Sequence, residues 1–162
     1  MVVKTGDVHL YSCKAKNFTA ENTWHVSGRT ILLSDCTAKD GAGYGLFAKD
    51  IARIKASDCK FINKGEGGVK IDNCLSAEFK DCEFSLNSGD GAMRLVCFDN
   101  SAVAEFHRCE FVGNEVTYNH QYNIYVNSNV TFSDCLFASN KEKDIDRKGF
   151  LHLTRPDFLI KN

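Results

Sequence analysis

The chain has 162 residues, 43% hydrophobic and 25% charged, with a formal net charge of −1. That length holds one domain with a real core, and the near-zero charge excludes a nucleic-acid binder held by phosphate neutralisation. No apolar run approaches the roughly 18 residues that cross a bilayer as a helix, and the opening MVVKTGDVHL lacks the apolar core of a signal peptide.

Along the chain, six short frames end on cysteine: VHLYSC, ILLSDC, IKASDC, AEFKDC, AEFHRC and VTFSDC. Their cysteines, Cys13, Cys36, Cys59, Cys82, Cys109 and Cys135, follow one another at intervals of 23, 23, 23, 27 and 26 residues. Within the frames apolar and polar positions alternate, as at Ile31 and Leu33, Ala77 and Phe79, Ala104 and Phe106, and Val130 and Phe132. That period of two predicts a short strand before each cysteine. Two residues after each cysteine stand Ala15, Ala38, Phe61, Phe84, Phe111 and Phe137, and asparagine then follows in FIN, FSLN, FVGN and FASN. Glycine-led segments, GEGGVKI at 65–71 and GDGAMRL at 89–95, open two of the middle repeats.

Little precedes residue 8 to cover the first coil, so a partner, or a further part of a longer protein, is expected to cap that end. After FASN the pattern gives way to KEKDIDRKG. GFLHLTRPDFLIKN, with the lone proline Pro156, is then expected to fold over the last coil as a cap spanning about 141–162.

No stretch shows a capped 3.6-residue stripe, so each repeat of about 23 residues holds two or three strands and no helix. One such unit cannot bury its apolar face alone, whereas stacked copies bury a continuous one. Leucine-rich repeats need an LxxLxLxxN frame, ankyrin and tetratricopeptide repeats need helices, and hexapeptide solenoids need six-residue steps; none is present. The pattern over residues 8–140 resembles the right-handed parallel β-helix of the pectin-lyase-like superfamily. The FxxN and GGxx signals are similar to those of polymorphic outer-membrane protein repeats. The expected fold is therefore all-β: a single-stranded right-handed parallel β-helix, or solenoid, of about six coils in one domain, 1–162.

Eight cysteines raise the question of bridges or metal. No CxxC pair occurs, so no metal is expected, and nothing implies a cofactor. In-register stacking leaves neighbouring Cβ atoms about 4.8 Å apart, beyond the usual 3.5–4.5 Å of a disulfide. The expectation is a ladder of buried, reduced thiols. Cys74 and Cys97 fall out of register when GEGGVKI is laid on GDGAMRL, and are left outside it. Reduced cysteine suits a reducing compartment, so a cytoplasmic location is expected, with an extracellular or virion-surface location as the alternative.

The frames place Glu78 over Glu105 and Glu83 over Glu110, near Lys55, Lys60, Lys80, Asp81, His107 and Arg108. Stacked carboxylates about 5 Å apart have the spacing of a retaining glycoside hydrolase, which makes Glu78 and Glu105 the catalytic candidates. The opposing reading is a solvated face neutralised by Lys55, Lys60 and Lys80. The glycine frames put Lys70 over Arg94, with Val69, Ile71, Met93 and Leu95 inward and Glu66 and Asp90 nearby. Two stacked cations invite an anion such as a uronate or a sulfated sugar. Trp24 or His25, Phe47 or Lys49, and Tyr125 join that row from neighbouring coils, and an aromatic ring covers the apolar side of a pyranose. Lys70, Arg94, Tyr125 and Trp24 are the ligand-binding candidates.

The functional expectation is a binding or scaffold β-helix that recognises a carbohydrate, an anionic glycan included, or a protein partner through an outer sheet face. The resemblance implies an alternative, a polysaccharide lyase or glycoside hydrolase. Against it, the GHG motif of polygalacturonase-like hydrolases is absent, and RIK at 53–55 matches their short motif by letters alone. The aspartate cluster with which pectate lyases hold calcium is absent too.

Overall fold

The alternating frames fold as strands that stack in parallel, each on its counterpart one repeat away. The computed structural model describes the backbone of residues 2–3, 6–18, 22–89, 93–97, 103–116, 122–126, 129–141, 143–147, 151–154 and 159–161. Three long strands, β4 (Asn22–Ser34), β6 (Tyr44–Ser57) and β8 (Gly67–Lys80), each bend partway and so belong to two faces. Their first halves stack with β1 (Val2–Val3), β10 (Met93–Cys97), β13 (Tyr122–Val126) and β16 (Lys143–Arg147) to form face one. Their second halves stack with β2 (Asp7–Tyr11), β11 (Val103–His107), β14 (Asn129–Ser133) and β17 (Leu151–Thr154) to form face two. Face three is a separate seven-stranded sheet. It comprises β3 (Lys14–Phe18), β5 (Thr37–Gly41), β7 (Lys60–Lys64), β9 (Glu83–Ser85), β12 (Glu110–Val112), β15 (Leu136–Ala138) and β18 (Leu159–Lys161). This is a parallel β-solenoid, and every pairing is parallel because each coil runs the same way round.

The six cysteine frames give six rungs, and β16, β17 and β18 pair in parallel beyond them. Leu151 and Leu153 lie opposite Val130 and Phe132, and Ile160 lies opposite Phe137. Pro156 lies outside the described residues.

Inward positions repeat so faithfully that rings stack on rings. Phe61, Phe84, Phe111 and Phe137 form one column, with centroids 5.4, 4.9 and 4.8 Å apart. Phe79, Phe106 and Phe132 form a second, at 5.4 and 4.8 Å. The columns meet edge to face, as at Phe79 and Phe84, 5.7 Å apart, the arrangement favoured by the ring quadrupole.

Two sharp corners recur in every rung from Cys13 to Cys135. The residue before the cysteine is left-handed each time: Ser12, Asp35, Asp58, Asp81, Arg108 and Asp134 have φ of 50–55°. The residue four after it is left-handed again: Asn17, Asp40, Asn63, Leu86, Gly113 and Ser139. Aspartate and asparagine tolerate this conformation best among residues with a Cβ, which explains the repeated SDC and KDC. Six of the seven described free cysteines are buried, and Cys13 is half-buried. The backbone links their rungs, with Thr37 N donating to Cys13 O and Lys60 N to Cys36 O, both at 2.8 Å.

The asparagines of the four FxxN-like segments separate into two kinds. Asn63 stands at the left-handed corner and donates through Nδ2 to Asp40. Asn87, Asn114 and Asn140, one residue further from their cysteines, form an inner ladder. Asn114 Nδ2 donates to Phe84 O at 2.9 Å and to Asn140 Oδ1 at 3.1 Å, while its own Oδ1 accepts from Asn87 N. The ladder satisfies backbone groups that the turn would otherwise bury unpaired.

Cys74 and Cys97, expected out of register, are paired. The pairing of β8 with β10 slips by one residue after Val96, so that Cys97 meets Cys74 while Asn73 bulges out. Asp50 plays the same part in β6, and Asn73 Nδ2 donates to Asp50 Oδ1 at 2.9 Å. Both are left-handed, as a bulge residue often is.

Candidate functional site

An outward row runs along the solenoid axis on face one. His25 lies opposite Phe47, Phe47 opposite Lys70, Lys70 opposite Arg94, and Arg94 opposite Tyr125. Arg94 and Tyr125 are placed by backbone register, and their side chains lie outside the described residues, as does Asp90. The His25 and Phe47 rings meet edge to face at 4.8 Å. Lys70 Nζ sits 5.3 Å from the Tyr44 ring and 5.6 Å from the Phe47 ring, so its ammonium is held by ring quadrupoles. Asn22, Tyr44, Phe47, Glu66 and Lys70 line a hollow of about 240 Å³ beside it.

Trp24 does not belong to this row. It lies opposite Leu46 in the inward phase, is 4% exposed, and sets its ring edge-on to Phe61 at 6.3 Å. Its neighbour His25 takes the outward place. Phe47 rather than Lys49 joins the row, and Lys49 pairs instead with Ser27 and Asp72.

Face two carries two outward rows. One runs His9, Leu32, Lys55, Glu78, Glu105 and Thr131; the other runs Tyr11, Ser34, Ser57, Lys80, His107 and Ser133, and by backbone register alone His152 and Thr154 come next. Glu78 therefore stands over Glu105 as the frames required. Lys55 Nζ is 2.5 Å from Glu78 Oε2 and pairs with it, whereas Glu105 Oε2 has the His107 ring nearby, with Nε2 at 3.8 Å. Between the two rows, over the first four rungs, runs a groove of about 330 Å³ lined mainly by carbon. Sequence reasoning missed it. Its signals were Tyr11 and Leu32, apolar residues in the outward phase of strands whose inward phase was already filled.

On face three Glu83 stands over Glu110. Partial burial works to raise the Glu83 pKa, but hydrogen bonds from Ser85 at 2.7 Å and Lys60 at 3.1 Å outweigh it and hold the carboxyl below its ordinary value. At the corner between faces two and three, Arg108 bonds Asp81 with Nε and one terminal nitrogen, at 2.6 and 2.7 Å. That pairing holds the Asp81 carboxyl below its ordinary value too. Among the described residues no three His, Cys, Asp or Glu side chains gather to hold a metal ion.

A family model described as a right handed beta helix region matches residues 1–145. No curated protein and no solved structure matches the chain.

Proposed function

Since the chain belongs to the right-handed β-helix family, we propose that it is a binding module that holds an acidic polysaccharide along face one, without cleaving it. The observation that carries this reading is the continuous row His25, Phe47, Lys70, Arg94 and Tyr125. Its members recur at the strand spacing of about 4.8 Å, close to the advance of one sugar along an extended pyranose chain. Successive sugars thus meet successive rungs. Aromatic residues at both ends suit the apolar faces of the rings, and the two central cations suit uronate or sulfate groups. Binding without turnover is the reading supported on face two by the ion pair that Lys55 makes with Glu78, which favours a charge-neutralised surface over an acid and nucleophile pair.

The test is binding to immobilised acidic polysaccharides, run beside an assay for new reducing ends. Replacing Lys70 and Arg94 together by alanine should weaken binding, and added salt should weaken the wild type. Binding unchanged in the double variant would remove face one as the site. Cleavage that disappears in Glu78→Gln or Glu105→Gln would make the protein an enzyme instead.

A further inference from the structure

We propose that the groove on face two is a second, independent site, which takes a neutral hexopyranose. Tyr11 forms one wall; its side chain stands at the end of β2 and is 76% exposed. Leu32 lies in the outward phase beside it and gives the floor its apolar character. Flat apolar surface of this kind receives the carbon-bound hydrogens of a pyranose ring, and about 330 Å³ accommodates a small ligand.

The polar lining has the chemistry of hydroxyl recognition rather than of anion binding. Ser34 and Ser57 face each other across one rung at 3.4 Å, and each hydroxyl both donates and accepts. Lys55 and Glu78 are locked together, so they present a donor and an acceptor side by side and cancel each other's charge. A vicinal diol needs that same pair, since each of its hydroxyls gives one hydrogen bond and takes another. Lys80 is the remaining cation, at the far end of the groove.

The site does not depend on the face-one reading. Tyr11 and Leu32 belong to the first two rungs of face two, whereas Lys70 and Arg94 lie on face one. The experiment is a titration of the labelled protein with the methyl glycosides of glucose, galactose and mannose, and separately with galacturonate, following the Tyr11 ring resonances by NMR. At least one neutral glycoside should shift them saturably, with the same affinity at low and high salt. Tyr11→Ala should weaken that binding roughly tenfold, Tyr11→Phe should keep it, and the Lys70 and Arg94 double variant should bind as wild type. The proposal is overturned if no neutral glycoside shifts Tyr11, if galacturonate alone does so in a salt-sensitive way, or if Tyr11→Ala binds unchanged.

Discussion

Inside the solenoid, Lys64 Nζ donates a hydrogen bond to Thr23 Oγ1 at 2.9 Å, and both residues are only 1% exposed. Lys64 occupies the ladder place that Asn87, Asn114 and Asn140 fill in later rungs, and its own backbone N–H donates to Asn87 Oδ1. Burial holds its pKa below the ordinary lysine value, with Asp40 pulling weakly the other way. Lys64→Asn should extend the ladder and raise unfolding stability at neutral pH by about 1 kcal/mol, the worth of one net hydrogen bond. The sign of the pH dependence follows from linkage. The unfolded lysine binds a proton that the folded one binds less well, so wild-type stability rises with pH up to about 10.4. The advantage of Lys64→Asn should therefore be greatest in acid and fade as pH climbs. Urea titrations of both proteins across that range check it, and an advantage that grows with pH would contradict it.

Leu86 holds a left-handed corner, φ 56°, where other rungs place Asn17, Asp40, Asn63, Gly113 and Ser139. It is also 60% exposed, so little packing offsets a backbone cost of about 1–2 kcal/mol for a Cβ in that conformation. Leu86→Asn should raise the thermal midpoint, corresponding to about 1 kcal/mol. Calorimetry decides it, and a lowered midpoint would mean that the leucine packs better than its exposure implies.

What was legible in the sequence was the register wherever repeats have equal length. Glu78 over Glu105, Glu83 over Glu110 and Lys70 over Arg94 all follow from counting to the nearest cysteine or glycine frame. Counting failed where a rung absorbs an extra residue. Asn73 bulges, and this puts Cys97 opposite Cys74 although the glycine frames say otherwise. Trp24 was misplaced for a different reason. The phase of TWHV is set by Trp24 and Val26 sharing the inward side with Leu46 and Ala48, a cue that the turn lengths obscured. Lys64 gave no signal at all, because lysine defaults to the surface and only the three-dimensional ladder shows which place it takes.

Thiol accessibility should divide the cysteines sharply. Cys13 is half-buried, whereas Cys36, Cys59, Cys74, Cys82, Cys109 and Cys135 are buried. Burial pushes the Cys36 thiol up, and hydrogen bonding to neighbouring thiols together with burial does the same to Cys59 and Cys109. Hydrogen bonds from Cys109 act the other way on Cys82 and Cys135 and hold their thiols below the ordinary value, so the reactive thiolate is kept from reagent there by burial alone. A maleimide should label Cys13 first in the native protein and reach the buried six only in denaturant. Peptide mapping of the labelled sites reads this directly. Native-state labelling of Cys82 or Cys109 at the rate of Cys13 would mean that the thiol column is open.

Arg108 is the one basic residue at a corner that elsewhere carries serine or aspartate, and it grips Asp81 in the preceding rung. Its hydrogen bonds are the main cause that lowers the Asp81 pKa. A carboxyl whose folded pKa is depressed contributes stability that is complete above its unfolded value, about 3.9. That contribution is lost as pH falls toward the folded value. Arg108→Asn keeps a residue suited to the left-handed corner and removes only the charge. The stability difference between wild type and Arg108→Asn should thus be constant near neutrality, and should move against the wild type as pH drops below about 4. Salt should erode the same difference at neutral pH, because the pair is partly exposed and screened. Parallel urea titrations at neutral and acid pH, each at two salt concentrations, separate the pairing from the backbone. A difference indifferent to both pH and salt would assign Arg108 a purely conformational role.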